Sequence, residues 1–326
     1  MLVRQPCYCS TARLHGCPHE NNERAQRLAD MGVLTRLLNL PALIRHLSRN
    51  RAGRSVWDPA DDLELALYGA VFGNNFLHYG YFPTPPADPE SISLADVKQA
   101  MDDYASLLVA RVKPGERVLD IGCGMGGLLA RLQNAGALPT GLTPNRSHAA
   151  HIRATWPQIP LLEGTLESFD PDQRPERFDA VINSESLQYI ALDAGIERVK
   201  GFLSPTGRWI VIDYFRLKPD SKNRSGHLLA DFDSAIARHG LEVLERLDVT
   251  DNVVPSLAYA RVLAERFALP VAHFFSEKFF LRHPFLGYLF QPNVREKLAK
   301  VRLDTLDPEV FKREKRYVLY VLQPRR

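Results

Sequence analysis

The sequence is poor in cysteine. It has four in 326 residues, too few for a disulfide scaffold in a chain of this length, so a reducing, cytoplasmic setting is expected. No apolar run approaches the roughly 20 residues that span a bilayer. The opening stretch, "MLVRQPCYCSTARLHGCPHENNERAQR", holds no apolar h-region, so a secretory signal is not expected either. Lysine is missing from residues 1–56, which carry nine Arg against Glu20, Glu23 and Asp30. That bias resembles an organellar transit peptide, but Ser is scarce and no amphipathic pattern accompanies it. A net charge of +3 is too small to argue for nucleic acid as a partner. Cys7, Cys9 and Cys17 with His15 and His19 match no common zinc spacing, so a polar tail without metal is expected there.

What is present falls into two textures. The first is helical. Leu34, Leu37, Leu38, Ile44 and Leu47 recur at helical spacing, with Pro41 dividing them into two short helices. "DPADDLELALYGAVFG" has Asp58 as N-cap, Pro59 in the first turn and Gly73 as a stop. The content of "NNFLHYGYFPTPPADPES" marks a loop, and Ser93 with Asp96 opens a helix running to about Val112. From Glu116 short apolar strands alternate with amphipathic helices: "RVLDIG", "LPTGLT", "PLLEG", "FDAVINS", "RWIVIDYF". A helix from about Gly226 to His239, the strand "LEVLERLDVT", an aromatic-rich helical stretch and a last strand "KRYVLYVLQP" follow. Such alternation predicts an α/β fold with a mostly parallel sheet.

The turn "VLDIGCGMGGLLARL" breaks the first strand with four glycines. Gly122, Gly124 and Gly127 satisfy the dinucleotide fingerprint, but the second strand ends in Thr143 where that fingerprint wants an acid for the ribose hydroxyls. A phosphate-binding loop is excluded because no Gly-Lys-Ser/Thr follows. Asp120, two residues before the first glycine, distinguishes the turn. A strand-end carboxylate suits a ligand carrying an ammonium, and bare glycine lets that ligand approach the backbone.

Asp120 with Gly122, Gly124 and Gly126 resembles motif I of the class I S-adenosylmethionine (SAM)-dependent methyltransferases. The branch it is most similar to holds sterol C-methyltransferases, cyclopropane-fatty-acid synthases and natural-product enzymes. The resemblance implies a Rossmann-like seven-stranded sheet with helices on both faces, and SAM as cofactor. It also implies roles for particular residues. In "GLTPNRSHAA", Thr143 and Asn145 replace the ribose acid, and His148 stands where the branch usually has Gln. In "LLEGTLESF", Thr165 and Leu166 face the adenine, Thr165 standing where the family has Asp. In "FDAVINSESLQYI", Asn183 is counted with the cofactor residues. The late Glu-His of cyclopropane synthases is replaced by Gln188 and Tyr189, which disfavours cyclopropanation, and Glu185 matches the Glu of sterol-type enzymes. The segment "NNFLHYGYF" resembles the aromatic stretch folded over the cofactor, with Tyr79, Tyr81 and Phe82 as walls and His78 toward the substrate. The implied division is a tail over 1–28, a helical cap over 29–113, a SAM-binding core over 114–250, an aromatic-rich substrate cap over 251–314 and a final strand over 315–326.

Methyl transfer requires alignment, dryness and, for some acceptors, a base, since the sulfonium brings its own leaving group. Glu185, Tyr189 and His78 are the candidate catalytic residues. For Glu185 two readings stand open: a base or orienting carboxylate, and a structural hydrogen bond to the glycine turn. Phe267, Phe274, Phe275, Phe279, Phe280, Phe285, Tyr288 and Phe290 suggest a lid over a lipophilic small molecule. The leading expectation is C-methylation of a terpenoid or polyketide-like compound. O- or N-methylation with His78 or His227 as base is the enzyme alternative, and a SAM-binding cyclase or partner subunit that transfers no methyl is the other. No nucleic-acid partner is expected. Weak membrane-surface contact through the lid or residues 31–48, and a homodimer paired through the N-terminal helices, remain open.

Overall fold

Residues 117–121 alternate around a backbone buried on both sides. Val118 belongs to one apolar cluster and Leu119 and Ile121 to another, the period-two pattern of a strand sandwiched between helices. The same alternation runs through the centre of the sheet: Ala180 and Ile182 against Val181, and Ile210 and Ile212 against Trp209 and Val211. The computed structural model describes residues 63–325 except 174, 175 and 222. These lie in the unit Trp57–Arg326. The expectations for the tail, the Cys/His cluster and the helices between residues 34 and 47 fall outside the described residues.

The elements follow the expected alternation. Helices α1 (Leu63–Val71) and α2 (Leu94–Val109) precede β1 (Arg117–Ile121), α3 (Gly127–Asn134), β2 (Leu138–Thr143), α4 (Arg146–Thr155) and β3 (Leu161–Glu163). Then come β4 (Phe178–Ser184), α5 (Leu192–Phe202), β5 (Leu203–Arg216), α6 (Leu229–Arg238) and β6 (Leu241–Asp248). Helices α7 (Thr250–Leu263), α8 (Leu269–Arg282), α9 (Pro284–Ala299) and α10 (Pro308–Glu314) lead into β7 (Lys315–Pro324). The seven strands form one sheet in the order β3-β2-β1-β4-β5-β7-β6. β7 runs antiparallel between β5 and β6, and the other described pairings are parallel.

Ser93 and Asp96 close a reciprocal capping box at the start of α2, satisfying two backbone donors that a helix end otherwise leaves open. Val97, Ala100, Met101, Tyr104, Ala105 and Leu108 of α2 share the cluster that covers β1, β4 and β5. This part of the expected N-terminal cap is therefore one of the layers covering the sheet. α7, a π-helical turn (Ala264–Ala268) and α8 continue one another without a break in helical backbone. Burial along that rod is concentrated in its first half, at Val253, Val254, Leu257 and Ala258, with Phe280 the one buried residue of α8.

Candidate active site

Because β1 crosses back to β2 on one side and the chain reaches β4 on the other, the sheet changes direction between β1 and β4. Crevices at the carboxyl ends of strands at such a reversal are where α/β sheets bind ligands. A cavity of about 490 Å³ opens there, with Asp120, Gly122, Gly124, Thr143, Asn145 and His148 on one side and His78, Tyr79, Glu185 and Gln188 among the residues on the other. Phe76, Tyr68 and Tyr214 add aromatic walls, and Tyr189 stands at the rim, 82% exposed.

Asp120 is buried in the end of β1, and its Oδ2 has no hydrogen-bond partner. Burial pushes its carboxyl up to about 7, because the charged form is poorly solvated there. A buried carboxylate oxygen without a partner in a cavity wall suits a cationic N–H donor, and an ammonium best. The backbone beside it is equally specific. Gly122 has φ +78°, and a Cβ there would lie 2.5 Å from Cβ of Ser186. Ser186 ties the two strand ends together: its Oγ donates to Ile121 O at 2.5 Å and accepts from Nδ2 of Asn183 at 2.9 Å. Oγ1 of Thr143 accepts the amide of Asn145 at 3.2 Å, and Oδ1 of Asn145 caps α4 by accepting from Ser147 at 2.8 Å and His148 at 3.2 Å. The donor set fits SAM: an open carboxylate for the amino group, a turn bare of Cβ, and polar side chains at the end of β2.

Glu185 follows β4 with φ +52°, a conformation that costs a non-glycine residue roughly 1–3 kcal/mol and tends to mark functional positions. Its Oε1 accepts the amide of Tyr79 at 2.9 Å and the hydroxyl of Tyr317 at 2.5 Å. Tyr104 continues the chain, its hydroxyl 3.0 Å from that of Tyr317 and 3.1 Å from Oγ of Ser184. Burial pushes the Glu185 carboxyl up to about 8, aided by the negative charge of Asp213 and opposed by the hydrogen bonds from Tyr317 and Tyr79. No hydrogen bond joins Glu185 to the glycine turn among the described residues; Ser186 makes that link instead.

His78 donates from Nδ1 to the carbonyl of its neighbour Tyr79 at 2.8 Å. A carbonyl only accepts, so Nδ1 carries the proton and the buried Nε2, which has no partner, presents a lone pair. The ring stacks on Tyr104 with centroids 4.0 Å apart. Burial holds its pKa down at about 4, against the bond to Tyr79 that raises it. His227 is unlike it: Nε2 lies 3.0 Å from the carbonyls of both Leu187 and Ile190, so it donates to the turn after β4 and is not a base in this cavity.

Five of the expected cofactor residues do not line this cavity. Asn183 is fully buried, with Oδ1 accepting from Trp209 Nε1 at 2.8 Å and its amide spent on Ser186. Tyr81 donates its amide to Ala100 at 2.7 Å and packs on the α2 side of the core. Gly126 turns away toward Ile152 and Trp156. Leu166 is buried among the residues under the opposite face of the sheet, and Thr165 is exposed. The rings of the expected aromatic lid lie elsewhere as well. None of its eight rings lines the cavity, and of the eight only Phe280 is buried; Phe267 to Phe280 ride on the outer half of the rod, and Phe285, Tyr288 and Phe290 on α9. Sequence reasoning missed Asn75, whose carbonyl accepts the amide of Gly127 at 3.1 Å, and the tyrosines 104, 214 and 317. Only Asn75, in an Asn-Asn turn with φ +60°, left a local signal.

Comparison with known proteins agrees with this geometry. Residues 118–207 match the family described as a methyltransferase domain. A ubiquinone biosynthesis O-methyltransferase of Bradyrhizobium diazoefficiens is 36% identical over 103 residues, 30% of this chain and 39% of that protein. The chain thus spans about two fifths of that relative's length. Among solved structures, the [4+2]-cyclase SpnF superposes with a TM-score of 0.57 at 21% identity, covering 81% of this chain and 93% of its own. Geranyl diphosphate C-methyltransferase from Streptomyces coelicolor A3(2) superposes at 0.58 with 16% identity, covering 83% and 95%. At such identities these two carry the fold alone. The glycine turn, the strand-end carboxylate and the family match coincide on the same residues, and the chain carries a class I SAM-dependent methyltransferase domain.

Proposed function

We propose that this chain transfers the methyl group of SAM to a carbon atom of a lipophilic small molecule of terpenoid or polyketide-like type, and that Glu185 takes the proton the acceptor gives up. SAM, when bound, supplies an electrophilic methyl on a sulfonium that departs as a neutral thioether. Asp120 holds its amino group, the turn at Gly122 and Gly124 admits it to the backbone, and Thr143, Asn145 and His148 meet its ribose. Tyr79 and Tyr189 belong to the methyl side of the cavity. The observation that carries the reading is Glu185: a strained, half-buried carboxyl in the cavity wall, joined through one oxygen to Tyr317 and Tyr79. With its pKa near 8 it is mostly protonated at neutral pH in the absence of a cation. A positive charge brought into the cavity favours the ionised form, so cofactor binding converts Glu185 into a base. The aromatic walls from Phe76, Tyr79 and Tyr214 suit a lipophilic acceptor and an electron-deficient carbon centre in it.

A second reading, O- or N-methylation, is favoured by the open Nε2 of His78 and by the O-methyltransferase names of the relatives that match the core. A third, cyclisation without methyl transfer, is the activity named for SpnF. Carbon-13-methyl SAM offered with a panel of isoprenoid diphosphates, β-keto thioesters and catechols separates them, because the product spectrum shows whether the label sits on carbon or on a heteroatom. Glu185→Gln is expected still to bind SAM, more weakly toward alkaline pH where the ionised carboxylate is lost, and to lose about a hundredfold or more in turnover at saturating SAM, the usual size of an acid–base contribution. Label on oxygen or nitrogen with activity lost only in His78→Asn replaces the first reading with the second; intact SAM beside a converted acceptor replaces it with the third.

A further inference from the structure

A second cavity, of about 460 Å³, lies near the start of β7; its polar lining is Asn223, Arg302, Arg313 and Lys315 together with Asp304, Thr305 and Glu314. Its centre is unusual. Lys315 is only 4% exposed, and among the described residues no carboxylate comes within ion-pair distance of its ammonium. Nζ donates to Oγ of Ser225 at 2.8 Å and sits 4.2 Å from the centroid of the Tyr214 ring. One hydrogen bond leaves two of its three N–H donors for other acceptors. A buried ammonium so poorly compensated is a costly arrangement unless an anion completes it. Burial and the positive charge of Arg216 bring its pKa down to about 8, against the carboxylates of Asp213 and Glu314.

The surroundings are arranged to receive that anion. Ser225 accepts from Lys315 and donates to Oδ1 of Asn223 at 2.6 Å, and the amide of Ser225 donates to the same oxygen at 3.0 Å. With Oδ1 engaged, the amide nitrogen of Asn223 is the part of that side chain left to donate. Arg302 and Arg313 add two exposed guanidiniums; each pairs with an acid of the same lining, Asp304 at 3.3 Å and Glu314 at 3.7 Å, and each has five N–H donors, so most remain for another acceptor.

We propose that this cavity is a binding site for an anionic oxygen group, a phosphate, a diphosphate or a carboxylate, with Lys315 as its buried anchor and Asn223, Arg302 and Arg313 closing around it. The site does not depend on methyl transfer. It adjoins the first cavity through Tyr214, which lines that cavity and carries Lys315 over its ring.

Calorimetric titration of the full-length chain with inorganic phosphate, pyrophosphate and acetate, at fixed ionic strength, tests it. Saturable binding of at least one anion is expected. The preferred anion names the source: pyrophosphate or phosphate for a phosphorylated ligand, acetate for a carboxylic acid. Lys315→Met is expected to weaken binding about tenfold or more, as loss of a charge-assisted bond does. Because Lys315 is buried, the paired exposed variant Arg302→Gln/Arg313→Gln is measured beside it, with circular dichroism and SAM binding as folding controls; it too should bind the anion more weakly. The proposal is overturned if none of the three anions binds the unmodified chain, or if the folded double variant binds as tightly as the unmodified chain. SAM titrated into the same samples keeps the readings separate, since failure to bind SAM bears on the methyltransferase and leaves the anion site untouched.

Discussion

Replacing Asp120 by Asn removes the charge on which cofactor recognition is proposed to rest and keeps the shape. An ionised carboxylate bonded to an ammonium is worth about 1.5–3 kcal/mol, and about 1.4 kcal/mol is a factor of ten in affinity. The variant is therefore expected to bind SAM about 10- to 150-fold more weakly. The pH dependence is more diagnostic. With the Asp120 carboxyl pushed up to about 7, about a tenth of it is ionised at pH 6 and about nine tenths at pH 8. SAM affinity of the unmodified chain should rise about tenfold across that interval from this group alone. Glu185, pushed up to about 8, adds its own slope at the alkaline end, so the difference between variant and wild type from pH 6 to 7 isolates Asp120 and cancels any titration of the ligand. Stability moves the other way. A carboxyl whose folded pKa lies above its unfolded value contributes stability fully present below about pH 4 and lost as pH rises through 7. At about 1.4 kcal/mol per pH unit, the three-unit elevation bounds the gain of ligand-free Asp120→Asn at pH 8 at about 4 kcal/mol. Calorimetry and thermal melts across pH measure both effects. Undiminished SAM affinity with an unchanged slope, or a variant less stable than wild type at pH 8, refutes the reasoning.

Three further outcomes follow from the geometry. Gly122→Ala places a Cβ at φ +78° and 2.5 Å from Cβ of Ser186; strain of about 1–2 kcal/mol plus that overlap should lower the melting temperature by several degrees and abolish SAM binding in titration, whereas an unchanged melt denies the close approach. Tyr317→Phe removes a donor that stabilises the ionised Glu185, so the carboxyl pKa rises and the acidic limb of the turnover–pH profile should move to higher pH; a limb that stays put or moves down rules out Glu185 as its origin. Leu281→Ser and Tyr288→Ser, at positions 80% and 85% exposed, should change stability by no more than about 0.5 kcal/mol and leave SAM binding intact in urea unfolding and titration, and a larger loss means these side chains are covered.

The core of the fold was legible because its determinants are local. Val118, Leu119, Asp120 and the glycines after them state a strand, its end and a turn within ten residues, and Ser93 with Asp96 announces α2. The tyrosine relay was not legible, because Tyr317 lies 132 residues from Glu185 in sequence and meets it only when β7 inserts antiparallel beside β5. Composition also leaves placement open. The phenylalanines between residues 267 and 290 are apolar enough for a lid, but composition does not say which face of a helix turns inward; those up to Phe280 ride the outer half of the α7–α8 rod, and Phe285 and Phe290 lie on α9. Asn183 shows the same limit at single-residue scale: its place at a strand end suggested ligand contact, whereas Trp209 and Ser186 use both ends of its amide.

Asp120, Glu185 and Asp213 sit on neighbouring strands or just beyond them, toward the carboxyl ends of β1, β4 and β5. Burial raises all three, and Glu185 carries backbone strain besides. Each of these features weakens the ligand-free protein near neutral pH, and none is needed to close the sheet, whose centre is held by Trp209, Phe215, Phe232 and Tyr320. Asp213 is put to structural use, accepting the amides of Tyr214 at 2.8 Å and Gln188 at 3.3 Å to fix the turn beside Glu185. The other two face the cavity. A ligand bearing positive charge compensates both at once, and a ligand that binds only the folded state adds to stability by mass action, about 2.7 kcal/mol at a hundred times its Kd. The destabilised strand ends are thus a reserve of binding free energy for a cation. This is the physical reason a dinucleotide-type reading of the same glycine turn fails: its diphosphate brings negative charge to buried carboxyls that call for a cation.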